Sequence, residues 1–203
     1  MNRWGRVAQA AAVLMAAASL AAQVPRPLVE SGEVMVNGQP VPYIIRHLPP
    51  SSFPNLPRVV ADQLLLRGCL IPQTYQARQP ENVVHASLER PGSSDWAVLC
   101  SAEGTVSLLV FFESAQGTPV VIASALEKER LYPSTAAGVV GLLGFNWGID
   151  PASPRRIHEA QSGLAHRPPT PDHDALVDSV IDRRTVYHFF SNGKWTLLEM
   201  PAD

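Results

Sequence analysis

The chain has 203 residues, 16 basic and 18 acidic, a net charge of −2 and 46% hydrophobic content. That balance excludes a disordered polyelectrolyte and supplies no basic stripe for nucleic acid. The length suits one domain able to bury a sizeable core.

The first residues read as an address. Arg3 and Arg6 precede an uncharged, mostly apolar run from Val7 to Leu20, and Ser19, Ala21 and Ala22 offer small residues for cleavage. This is the layout of a secretory signal peptide over residues 1–22. The run spans 14 residues and Pro25 and Pro27 end it, so it is too short to cross a bilayer comfortably. Losing Arg3 and Arg6 with the leader takes the net charge from −2 to −4. The expectation is an exported protein, periplasmic or secreted, with no membrane span in the remainder. Neither Cys69 nor Cys100 sits in a C-x-x-C pair. In an oxidising compartment two such cysteines pair as a structural disulfide.

Residues 23–56 form a Pro-rich arm, which cannot be a long helix or a central strand. Within it, the β-prone runs Glu33–Val36 and Val41–Ile45 flank Asn37-Gly38, a pair suited to a tight hairpin turn. Pro40 and Pro42 predict an edge position for the second run, and Pro49–Pro57 reads as an extended surface connection. A single α+β domain is expected over residues 57–203. Pro57 opens a helix whose apolar positions Leu56, Val59, Val60 and Leu64 recur at helical spacing, and Gly68 caps its end. Four β runs follow: Val83–Leu88, Trp96–Cys100, Val106–Phe112 and Val120–Ala125. The short turns between them predict an antiparallel meander. Cys100 in its second strand would be tied to Cys69 at the helix end.

Gly138, Gly141, Gly144 and Gly148 punctuate the next apolar stretch. They lack G-x-G-x-x-G spacing and a P-loop Lys-Ser/Thr, so a packed loop is expected, with Trp147 as an exposed binding anchor. Ser153-Pro154 starts a second short helix running to about Gln161. Ala175–Ile181, Thr185–Phe190 and Trp195–Met200 read as three more strands, the last two joined by Asn192-Gly193. Tyr187, Phe189 and Trp195 are expected to form a cross-strand aromatic set.

Candidate chemistry is sparse. Asp172, Asp174 and Asp178 crowd one turn, and closely spaced carboxylates are what calcium requires; a solvated turn also favours Asp. Calcium is the one cofactor the sequence suggests. His158, His166, His173 and His188 lack zinc-ligand spacing and read as surface or hydrogen-bonded side chains. No G-x-S-x-G or S-x-x-K motif marks a nucleophile. Glu127 and Glu129, followed by Arg130, look like a solvated strand exit.

Arg67-Gly68-Cys69-Leu70-Ile71-Pro72-Gln73, Asn82-Val83-Val84, Asp95–Cys100, Asp172–Ala175 and Gly193-Lys194-Trp195 resemble a set of uncharacterised exported bacterial proteins over about residues 56–203. The resemblance implies that both cysteines belong to one design and implies no activity. Asp95–Leu99, a D-x-A-V-L strand, and the D-x-D-x-x-x-D run of Asp172, Asp174 and Asp178 are also similar to FG-GAP or VCBS-type β repeats, which implies a β domain with a calcium turn. In that likeness Ala175 replaces the loop glycine and Thr170 a first carboxylate.

The sequence therefore predicts an α+β protein with an antiparallel meander of about four strands, a C-terminal hairpin, two short helices and one disulfide. Three functions are open: a non-enzymatic envelope module that binds a protein or envelope component, a calcium-stabilised β module, and a hydrolase with a dispersed site.

Overall fold

A computed structural model of the protein describes residues 28–115, 117–134, 141–164, 167–180 and 184–200. The expected signal peptide of residues 1–22, His166 and Gly138 lie outside the described residues. The fold is α+β, with predominantly antiparallel strands in three sheets, two short helices and the Cys69–Cys100 disulfide.

The chain begins with a hairpin of β1 (Leu28–Val36) and β2 (Gln39–Leu48). Asn37 and Gly38 both have positive φ, 52° and 79°, as a two-residue turn of this hand demands. β2 is not at an edge. It lies between β1 on one side and β3 (Ile71–Gln73) and β9 (Leu143–Phe145) on the other. The register explains why its prolines are tolerated. Val36 pairs with Gln39, so residues 39, 41, 43 and 45 direct their N–H groups toward β1. Pro40 and Pro42 face the other side, where pairing with β9 begins only at Tyr43 and Ile44. The missing donors fall where no acceptor waits. β8 (Leu131–Pro133) completes this sheet against β9.

The connection after β2 is less extended than its prolines suggest: Pro50–Ser52 form a 3-10 turn with Pro50 buried. Helix α1 (Arg58–Leu66) then starts on the carbonyl of Pro57, which accepts the amide of Ala61 at 3.0 Å. Gly68 (φ 65°) reverses the chain at its end. The amide of Cys69 bonds the Leu64 carbonyl and that of Gly68 bonds the Leu65 carbonyl, each at 3.0 Å, a Schellman cap. This cap aims Cys69 at the meander of β4 (Val83–Ala86), β5 (Asp95–Ala102), β6 (Thr105–Phe111) and β7 (Val120–Leu126). All three pairings are antiparallel. The third sheet joins β10 (Gly148–Ala152), β11 (Ala175–Val180), β12 (Arg184–Ser191) and β13 (Lys194–Met200) in that order. Helix α2 (Pro154–Ala160) precedes β11, and the Ser153 side chain accepts the amide of Arg156.

The two faces of the meander serve different cores, as the period of two along a strand allows. Ala97, Leu99, Val106, Leu108 and Val110 face the main core, which also receives Tyr43 and Ile45 from β2, Phe145, Trp147 and Leu176. Val98, Cys100, Leu109 and Phe111 face α1 and the disulfide. Among the described residues no helix is long and apolar enough to cross a membrane.

Candidate functional site

The layer that holds the disulfide also shapes an open groove. Trp96 lies on the same face of β5 as Val98 and Cys100 and is half-buried, packed at the border of the α1 cluster. His85 is its cross-strand partner on β4. The two rings stack with centroids 4.5 Å apart and planes 15° apart, and His85 Nε2 meets Ser94 Oγ at 2.8 Å. Phe53, Leu56, Pro80 and Val83 join them to line an open groove of about 590 Å³. On its other side Trp96 borders a second groove of about 240 Å³, with Val59, Phe111 and Gly117. Trp96 is thus a ridge between two apolar troughs.

A second constellation lies where the hairpin meets the turn after β7. His47 on β2 and Glu127 in the 3-10 turn Glu127–Arg130 are both buried, and His47 Nε2 lies 2.8 Å from Glu127 Oε1. The solvated strand exit read at Glu127 is therefore corrected, because the amide of Glu127 bonds the Gly104 carbonyl and the side chain turns inward onto His47. Glu30 of β1 faces the same pair; ligand atoms of Glu30, His47 and Glu127 all lie within 4.8 Å of one another. Tyr43 donates its hydroxyl to Glu30 Oε1 at 2.8 Å. Its ring reaches there across Gly32, where a Cβ would stand 3.0 Å from Tyr43 Cε1. Burial first, and then the bond to Glu30, push the Tyr43 phenol above its ordinary value. Lys128 Nζ sits 5.5 Å from the centre of the Tyr43 ring.

The acidic turn does not gather into one calcium-binding set. Asp172 is exposed and meets Nδ1 of His173 at 2.8 Å, a hydrogen bond that holds its carboxyl below the ordinary value. Asp174 accepts the amide of Ser87 at 3.1 Å, while its own amide bonds the Ser87 carbonyl. Asp178 is buried in β11, where it accepts the indole N–H of Trp147 and faces His188 Nε2 at 3.1 Å. The reason is the strand: Asp172 and Asp174 precede β11, whereas Asp178 lies within it, carried away from the turn by the β rise. Trp147 is likewise no exposed anchor. It is fully buried, bonded to Asp178 and covered by the Arg130 guanidinium at 4.2 Å from the ring centre.

The motif residues act as structural ties. Asp95 is fully buried, and its carboxylate accepts the amides of Leu88, Glu89 and Glu113 and the Ser93 hydroxyl. Asn82, at φ 69°, bonds the Pro72 and Trp147 carbonyls through Nδ2 and accepts the Ile149 amide, joining all three sheets. The aromatic set is also different from the expected one. Trp195 pairs with Phe190, not Phe189, so the stack is Phe112, Phe190 and Trp195. Tyr187 and Phe189 point to the opposite face and pack with Ile157 and Leu198. His173 Nε2 donates to the Phe190 carbonyl at 2.8 Å, and His158 is exposed on α2.

Of the residues in the two candidate sites, the sequence placed Trp96 in the second strand of the meander, where it lies half-buried, but gave Glu127 a solvated setting that the fold does not keep. Glu30 and His47 carried no signal, since Glu127, the residue that gives their placing a meaning, lies 80 positions beyond His47 in the chain. Fold and sites together define a disulfide-closed α+β protein with an aromatic-ridged groove and a buried His–Glu pair. No family model, curated protein or solved structure matches the chain.

Proposed function

We propose that the chain is an exported, non-enzymatic binding module of the cell envelope, periplasmic or secreted, that takes an extended apolar polypeptide segment across the Trp96 ridge. The observation that carries this reading is Trp96, half-buried and backed by stacked His85 between two open troughs. Aromatic side chains in such settings supply large contact area at low entropic cost. The apolar walls of Phe53, Leu56, Pro80 and Val83 suit side chains of a peptide better than sugar hydroxyls, which need convergent polar partners. The leader layout of residues 1–22 and the likeness to exported bacterial proteins support the compartment, and a structural disulfide suits it.

The test is selection of displayed peptides on the oxidised protein, with a glycan array run in parallel. Peptides that lose at least tenfold in affinity on Trp96→Ala and on His85→Ala, with circular dichroism unchanged, support the reading. Glycan binding that depends on Trp96, or peptide binding indifferent to both variants, overturns it. Export is tested separately, by sequencing the N-terminus of the protein recovered outside the cytoplasm.

The His85–Ser94 contact favours one second reading, a hydrolase that acts beside the Trp96 ridge, where His85 lines one groove and Ser94 the other. A serine-reactive fluorophosphonate that labels Ser94 and fails on His85→Ala would replace binding with catalysis.

A further inference from the structure

We infer that Glu30, His47 and Glu127 form a binding site for a divalent transition-metal cation of the zinc type, which pins the N-terminal hairpin to the turn after β7. The three side chains come from three separate segments, β1, β2 and the Glu127–Arg130 turn, yet their ligand atoms converge within 4.8 Å. Among the described residues this is the one His/Cys/Asp/Glu set with that convergence.

The donor chemistry fits. An imidazole nitrogen and two carboxylate oxygens are borderline donors of the kind zinc accepts, and three protein ligands leave a fourth position for water. Two ionised glutamates with a neutral imidazole carry −2, which a divalent cation neutralises where two of the three side chains are buried. Zinc holds such ligands at about 2.0–2.2 Å, so the ligand atoms of a tetrahedral site stand roughly 3.4 Å apart. His47 Nε2 and Glu127 Oε1 are already at 2.8 Å and need only to spread slightly. The larger movement falls to Glu30, which is the exposed member of the three.

An orienting partner is also in place. The Tyr43 hydroxyl bonds Glu30 Oε1, the kind of outer contact that aims ligating carboxylates. Gly32 leaves the space that lets the ring reach it. Tyr43 is thus a positioning residue, with Lys128 Nζ 5.5 Å from the centre of its ring.

The test uses the oxidised full chain, stripped with chelator and then titrated with Zn²⁺ by calorimetry and Co²⁺ by absorbance. One equivalent of zinc should bind, raise Tm by a few degrees at saturation and give tetrahedral cobalt bands. Glu30→Gln, an exposed change that spares the core, should weaken zinc at least tenfold and abolish the cobalt bands. Tyr43→Phe should weaken it severalfold, and His47→Gln should remove it. If His47→Gln does not fold, Glu30→Gln decides alone. The absence of one-equivalent binding at about 100 µM zinc, or binding that Glu30→Gln leaves unchanged, overturns the site.

Discussion

The clamped meander and the N-terminal hairpin are held in different ways. Between Leu56 and Phe111 the chain is fastened by a Schellman-capped helix, a disulfide and an apolar layer of Val98, Cys100, Leu109 and Phe111. The β1–β2 hairpin buries Tyr43, Ile45 and His47 of β2 and packs Val34 and Val41 half-buried against the core, and β1 is exposed along almost its whole length. Its outer strand is tied by one polar cluster, Glu30 with Tyr43 and the buried His47–Glu127 pair. Apolar burial and a covalent link respond little to protons and to bound cations. Hydrogen-bonded carboxylates respond to protons and cations. The more responsive part of this molecule is therefore its hairpin.

Breaking the clamp should have the largest effect. Replacing both cysteines by serine removes a cross-link that constrains the unfolded chain, and about 3–4 kcal/mol should be lost in urea unfolding on the chain-entropy account. A loss below about 1 kcal/mol would mean that packing alone holds the meander. Next comes Asp95→Ala, which strands three amides and a hydroxyl in a buried turn; about 3 kcal/mol should disappear from the same measurement. If instead that turn tolerates alanine, Asp95 does not organise the β4–β5 and β6–β7 connections.

The hairpin should fail separately. Glu127→Gln retains the shape but weakens the bond to His47, at a cost of about 1–2 kcal/mol. Hydrogen exchange should then rise in β1 and β2 before it rises in β5 and β6. Uniform acceleration would show that the two regions form one cooperative unit. The smallest effect is an alkaline one. Tyr43 is raised by burial and by Glu30 from its ordinary 10.0. The folded state thus holds the phenolic proton more tightly than the unfolded chain does. The stability this contributes is complete below pH 10.0 and disappears as pH climbs from there through the raised folded value. Tyr43→Phe should flatten that part of the stability–pH curve, and an unchanged curve would remove Tyr43 from the hairpin's anchoring.

Much of the fold was legible because its signals are local. Pro57 and Gly68 bracket α1, and the pairs Asn37-Gly38, Glu103-Gly104 and Asn192-Gly193 all adopt positive φ at both residues. Each marks a turn between strands that the alternation of apolar residues had already suggested. The strands β3, β8 and β9 were not legible, since three residues carry no periodicity. The aromatic set failed by one residue of register. A shift of one along a strand exchanges its faces, so Phe190 rather than Phe189 met Trp195. The three aspartates take separate partners for a related reason: D-x-D-x-x-x-D describes spacing along the chain, and β11 turned that spacing into separation.

The sequence by itself determined most of the longer elements, the helix caps, the tight turns and the pairing of its two cysteines, because backbone φ preference and side-chain alternation act over a few residues. Only the tertiary structure decided that β2 lies inside its sheet, that Trp147 is buried on Asp178, and that Glu127 meets His47 and Glu30. Those outcomes join residues distant in the chain, 31 positions apart for Trp147 and Asp178 and 80 for His47 and Glu127. No local preference encodes them; they follow from the packing of three sheets on one core, which leaves buried polar groups to find whatever partners the register brings.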